Sequence, residues 1–149
     1  MTANASLPLN HSWPLWEQPR HFELGHVLNS AVSDLIEPGR IGQLGFHHAG
    51  CWECDLTDNK LMWSGGVYDI FGLPRWVPVR REEAVALYGE GSRAIMERLR
   101  AHAIRHRRGF TVDVEILPAT GERRWIRLIA APVCAGRDVI RLHGLKLVI

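Results

Sequence analysis

Between Phe110 and Ile149 the chain can fold into little besides sheet. Phe110, Val112, Val114 and Ile116 alternate with Thr111, Asp113 and Glu115. A period of two puts the first set on one face of a strand and the second on the other. Pro118-Ala-Thr-Gly121 reads as a hairpin loop, Arg123–Val133 as the next strand, Ala135-Gly136 as the next turn and Asp138–Ile149 as the last strand. Connections this short join antiparallel neighbours. A three-stranded meander with an apolar face must be covered by something, and the rest of the chain has to supply the cover.

Upstream, Trp52, Cys54 and Leu56 share one face of a strand, and Cys51, Glu53 and Asp55 share the other. Thr57-Asp-Asn59 turns the chain into a return strand, Lys60–Trp63. Ser64 is placed to cap a short helix running through Phe71, which Gly72-Leu-Pro74 ends. Residues 81–107 read as two helical pieces broken by Gly89 and Gly91, the second starting near Ser92. The expected fold is therefore α+β: a five-stranded antiparallel sheet with short helices on one face, over residues 40–149. Ahead of it, residues 21–39 hold an amphipathic helix, with Leu24, Val27, Leu28, Ala31, Val32 and Leu35 in one stripe stopped by Pro38-Gly39. Residues 1–20, with Pro8, Pro14 and Pro19, read as an irregular arm.

A length of 149 residues suits one domain, and 46% apolar with 23% charged residues suits a soluble one. The net charge of +2 argues for neither nucleic acid nor an anionic membrane as partner. Three cysteines do not make a disulfide framework. No apolar run approaches the roughly 18 residues of a membrane span, and no basic region followed by an apolar core opens the chain; a cytoplasmic protein is expected. There is no phosphate-binding glycine loop, nucleophile elbow or His-Glu-x-x-His, so catalysis is not expected.

Gly50-Cys-Trp-Glu-Cys-Asp-Leu56, Trp63-Ser64 and Val67-Tyr-Asp-Ile-Phe-Gly-Leu-Pro74 resemble the opening of a PAS domain of the G-x-W-x-x-D-L subtype. Phe110–Glu115, Thr120-Gly121, Arg124-Trp-Ile-Arg127 and Arg141-Leu-His-Gly144 resemble its closing strands. The likeness covers residues 45–149. It implies a sheet cupped by helices around a small cavity, a sensory or signalling role for a ligand or a protein partner, and dimers built on a preceding helix, the role that suits the Leu24–Leu35 stripe. It also implies output to an effector such as a kinase or cyclase. The chain closes Gly144-Leu-Lys-Leu-Val-Ile149, with Val148 where relatives commonly carry the Asp of an Asp-Ile-Thr-like motif. Output is thus expected through association with another chain, either a homodimer or a separate effector. The Asn-Cys-Arg-type adduct sequence of flavin photoreceptors is absent.

Strand and helix phase select Trp52, Cys54, Trp63, Ile70, Leu99, Val112, Val114 and Ile126 as residues facing a ligand. The high tryptophan count, six, suits either a cavity wall (Trp52, Trp63, Trp125) or an interface (Trp13, Trp16, Trp76). Cys51 and Cys54 have redox or zinc spacing, but on a strand positions i and i+3 point to opposite faces, so no metal is expected there. His102 and His106 lie four apart on the second helix, with His106 on the wheel between Ile95 and Leu99. An inward imidazole there would be a haem ligand, the alternative to a protein without cofactor. The arginines from Arg98 to Arg108 read as a solvated helix face. A third alternative is a domain whose cavity is filled by side chains and which serves only assembly.

Overall fold

A computed structural model describes residues 8–28 and 49–149, with the side chains of residues 24–28 left out of the description. The strands are β1 (Asn10–Pro14), β2 (Ala49–Asp55), β3 (Lys60–Trp63), β4 (Arg108–Ile116), β5 (Arg124–Ala135) and β6 (Asp138–Val148). The helices are α1 (Gln18–Leu28), α2 (Gly65–Phe71), α3 (Arg81–Val85) and α4 (Glu90–His106), with a 3-10 turn at Leu15–Glu17 ahead of α1. One antiparallel sheet runs in the order β1-β4-β5-β6-β2-β3.

The sheet has six strands where five were expected. The extra one, β1, lies in the stretch read as an irregular arm and pairs with β4, Ser12 opposite Phe110. Its signal is weak because Asn10-His-Ser-Trp-Pro14 offers one large apolar side chain and ends on a proline. A proline is tolerated there because β1 is an edge strand. Helix α1 begins at Gln18, ahead of the expected start; Pro19 is no obstacle in a first turn, where its missing N–H has no helical partner. Of the expected dimer stripe, Ala31, Val32 and Leu35 lie outside the described residues, as do the side chains of Leu24, Val27 and Leu28. In α4, Gly89 is the N-cap and the helix runs straight through Gly91, so the expected break falls before Glu90.

Both faces of the sheet are covered. The inner face carries Phe110, Val112, Val114, Ile126, Leu128 and Leu142 against α2, α3 and α4. The outer face carries Ile129, Ala131 and Leu147 against Trp13. Trp13 is fully buried, stands over Gly109 and donates its indole N–H to Thr111 Oγ1 at 3.1 Å. It therefore packs on its own domain and is no interface residue, while Trp16 and Trp76 are largely exposed. Trp125 points outward and is 40% exposed, so it is not part of the cavity wall.

The chain entering β1 is held by a charge. Asp113 accepts two hydrogen bonds from Arg127, at 2.8 and 3.0 Å, and a third from the Leu9 amide at 3.1 Å. Asp113→Asn keeps the shape and removes the charge from a nearly buried, two-pronged pair. A loss of about 1–3 kcal/mol is expected, read as a lower urea midpoint at unchanged slope.

Candidate functional site

The site is built from the inner face upward. In β6 the inward set is Leu142, Gly144, Lys146 and Val148, as the register opposite Pro132, Ala130, Leu128 and Ile126 of β5 requires. The period of two thus drives a lysine into the core. Lys146 is 6% exposed. Its Nζ lies 4.8 Å from the ring centre of Phe71, 5.3 Å from Trp52, 5.4 Å from Trp63 and 5.8 Å from Tyr88. It is 3.2 Å from the Tyr88 hydroxyl. Among the described residues no carboxylate pairs with it. The ring faces favour the ammonium form, but burial outweighs them. Desolvation, with a smaller contribution from the Arg81 charge and against an opposing one from Cys54, pulls the amine down to about 7. Burial also pushes the Tyr88 hydroxyl well above its usual range.

Beside the amine is a cavity of about 50 Å³. Its wall includes Trp52 and Cys54 from β2, Arg81, Ala84 and Val85 from α3, Tyr88 from the segment between α3 and α4, Met96 and Arg100 from α4, and Lys146 from β6. Arg81 is ion-paired with Glu97, and Arg100 donates to Asn59 Oδ1 at 3.2 Å. Arg100 is therefore half-buried at the cavity, not part of a solvated face. Three cationic side chains and one acidic partner give this wall a positive character, and the volume admits one or two waters or a ligand of a few heavy atoms. A second, open hollow of about 550 Å³ lies on the outer face, between Phe22, Met62, His143 and Leu145.

Of the residues selected from the sequence, Trp52 and Cys54 line the inner cavity. Trp63 stacks on Phe71 at 4.9 Å beside Lys146 and also borders the outer hollow; its indole N–H is buried with no hydrogen-bond partner among the described residues. Ile70, Val112, Val114 and Ile126 are fully buried in the core but stand away from the cavity wall, and Leu99 packs at the core's margin. Lys146, Tyr88 and Arg81 were not selected. Cys51 is exposed and Cys54 buried, on opposite faces of β2, as the strand spacing predicts.

The helical-wheel placement of His106 on the inner face does not hold. His102 and His106 are both exposed, their rings tilted at 44° with centres 4.5 Å apart. The inward positions of α4 are Met96 and Ala103. The wheel placed His106 between Ile95 and Leu99, but those two are themselves only half-buried, so the buried stripe is rotated away from the histidines. Neither imidazole lines the inner cavity.

No protein-family model matches the chain, and no curated protein does. Solved structures do. The chain is similar to an RNA-binding light-oxygen-voltage receptor (16% identity, TM-score 0.60), covering 68% of this chain and 29% of the receptor's. It is similar to the N-terminal domain of a diguanylate cyclase with a PAS/PAC sensor from Marinobacter aquaeolei (15%, TM-score 0.60), covering 66% and 92%. A third likeness is to a sensory box histidine kinase/response regulator from Burkholderia thailandensis (17%, TM-score 0.59), covering 76% and 85%. The class is thus an α+β domain of open antiparallel sheet cupped by helices, and within that class this is a PAS-fold domain. No helix among the described residues is long and apolar enough to cross a membrane.

Proposed function

We propose that this PAS-fold domain is a cytoplasmic signalling module that senses a small anion, of carboxylate size, in its inner cavity and responds by association and not by catalysis. One observation carries the reading: a buried amine with no acidic partner among the described residues, facing a small cavity that two arginines also line. An unpaired buried charge is costly, and an acceptor that enters with a negative charge removes that cost. A bound anion holds Lys146 protonated. It also draws on Arg81, which α3 carries and which Glu97 ties to α4. An anion that prefers one packing of these helices over another shifts the population of the surface they form. The output surface in this reading includes the N-terminal helix, as a homodimer or against a separate effector such as a kinase or cyclase.

The test is thermal unfolding with formate, acetate or bicarbonate titrated against chloride at constant ionic strength. A saturable rise in Tm is expected for the natural chain, reaching the equivalent of about 2.7 kcal/mol at a hundredfold excess over Kd. Lys146→Met should show no rise. If all three anions leave the natural chain unmoved, the sensing reading fails. The second reading then stands: a domain whose interior is filled and which serves assembly alone. The small volume favours that reading, since sites for drug-sized ligands run to several hundred Å³.

A further inference from the structure

On the other face of the sheet from Lys146, at the corner between β1 and α1, three side chains with metal-binding atoms converge. We propose that His11, Glu17 and His21 form a site for a divalent transition metal, of the two-imidazole, one-carboxylate kind. Each offers one ligand atom, and these atoms all lie within 4.8 Å of one another. His21 Nε2 is 3.1 Å from Glu17 Oε1. The His11 and His21 rings are 5.6 Å apart at 50°. In a tetrahedral zinc site, metal–ligand bonds near 2.1 Å separate the ligand atoms by about 3.4 Å. The Glu17–His21 pair is already at that spacing, and His11, which is exposed, is free to rotate inward.

The chain is shaped to present this set. β1 delivers His11. The 3-10 turn delivers Glu17, and the first turn of α1 returns His21 one helical turn beyond it. The His21 ring is held from behind by Trp13, stacked at 4.2 Å and 9°. Trp13 is itself locked by burial and by its hydrogen bond to Thr111. Such support behind a ligating imidazole fixes the ring plane before the ion arrives. Among the described residues Glu17 has one competing arginine, Arg20 at 4.0 Å, whose side chain is mostly exposed and can withdraw. Imidazole with carboxylate suits zinc, nickel, copper or ferrous iron, and three protein ligands leave at least one position open. All three ligands fall between β1 and α1, so an ion there fastens α1 to the sheet's outer face. This gives the N-terminal helix an input independent of the inner cavity.

Cobalt(II) added to the full chain is the probe, because its visible bands report both binding and ligand type. One ion per chain is expected, with a nitrogen–oxygen spectrum and no thiolate charge-transfer band. His11→Ala and Glu17→Gln should each weaken binding by at least about tenfold, on the scale by which even supporting partners change metal affinity. His102→Ala should leave it unchanged. His11 is exposed and its loss spares the fold, which circular dichroism checks. Equal affinity in His11→Ala or Glu17→Gln, loss of binding in His102→Ala, a thiolate band, or no binding by the natural chain overturns the proposal.

Discussion

Lys146→Met is expected to stabilise the protein, and by an amount that depends on pH. The amine titrates near 10.4 in an unfolded chain and near 7 in the fold. Below pH 7 both states carry the proton, and the whole cost of burying the ammonium weighs on the fold, on the order of 4 kcal/mol. Between 7 and 10 the unfolded chain holds the proton while the folded one has lost it. Stability then rises with pH, by up to about 1.4 kcal/mol per unit. Above 10 the gain ends and Tyr88 acts the other way: the unfolded phenol ionises, while burial keeps the folded one protonated. Methionine fills the same space without charge and leaves Phe71, Trp52 and Trp63 in contact with a polarisable chain. Chemical denaturation at pH 6, 7, 8 and 9 should therefore show a clear excess of stability for the variant at pH 6. That excess should shrink by at least half by pH 9. Parallel curves for the two proteins would mean that Lys146 is not desolvated as its surroundings require.

Why that lysine was not legible in the sequence is instructive. Leu145 and Leu147 flank it, and a strand reading that sends leucine inward sends lysine out. The sheet reverses this because its outer face is not open to water. Trp13 covers Leu147 there, and Leu145 and Phe22 pack on the same cluster. The cover comes from the stretch whose prolines and polar residues disguised a strand, so missing β1 and missing Lys146 are one error. The register would have exposed it, because Leu128 lies opposite Lys146 and faces the core. The meander, the β2–β3 hairpin and α2 were legible because their periodicity agrees with their turns. Val112 and Val114 point inward as their alternation says. Phase gives a face but not a depth, which is why those two valines stand in the core while the cavity lies beside Tyr88 and Arg81. His106 failed for a related reason: near a helix end, a small rotation of the buried stripe decides whether a side chain meets the core or water.

Gly144→Ala is expected to be severely damaging, since a methyl group there meets backbone. Gly144 sits on β6 between Trp52 of β2 and Ala130 of β5, so two central strands hold it on either side. A Cβ built there lies 1.7 Å from the Ile129 carbonyl oxygen and 3.1 Å from Ala130 Cα. Neither is a side chain that can swing aside; relief requires β6 to move away from β5. That movement would break the ladder that positions Lys146, two residues on, against Phe71 and Tyr88. Core overpacking usually costs about 1–3 kcal/mol because neighbours adjust. Here the neighbour is backbone in a paired strand, so a loss of about 4 kcal/mol or more is expected, in the range reserved for severe lesions. The readouts are Tm and the near-ultraviolet signal of the tryptophans around Lys146, both of which should fall together. Gly91→Ala is the control: that position has open space around it within an established helix, and alanine should there be neutral or stabilising by up to about 1 kcal/mol. A folded Gly144→Ala protein with unchanged Tm would show that β5 and β6 are not as close as the register demands, and the inward placement of Lys146 would lose its support.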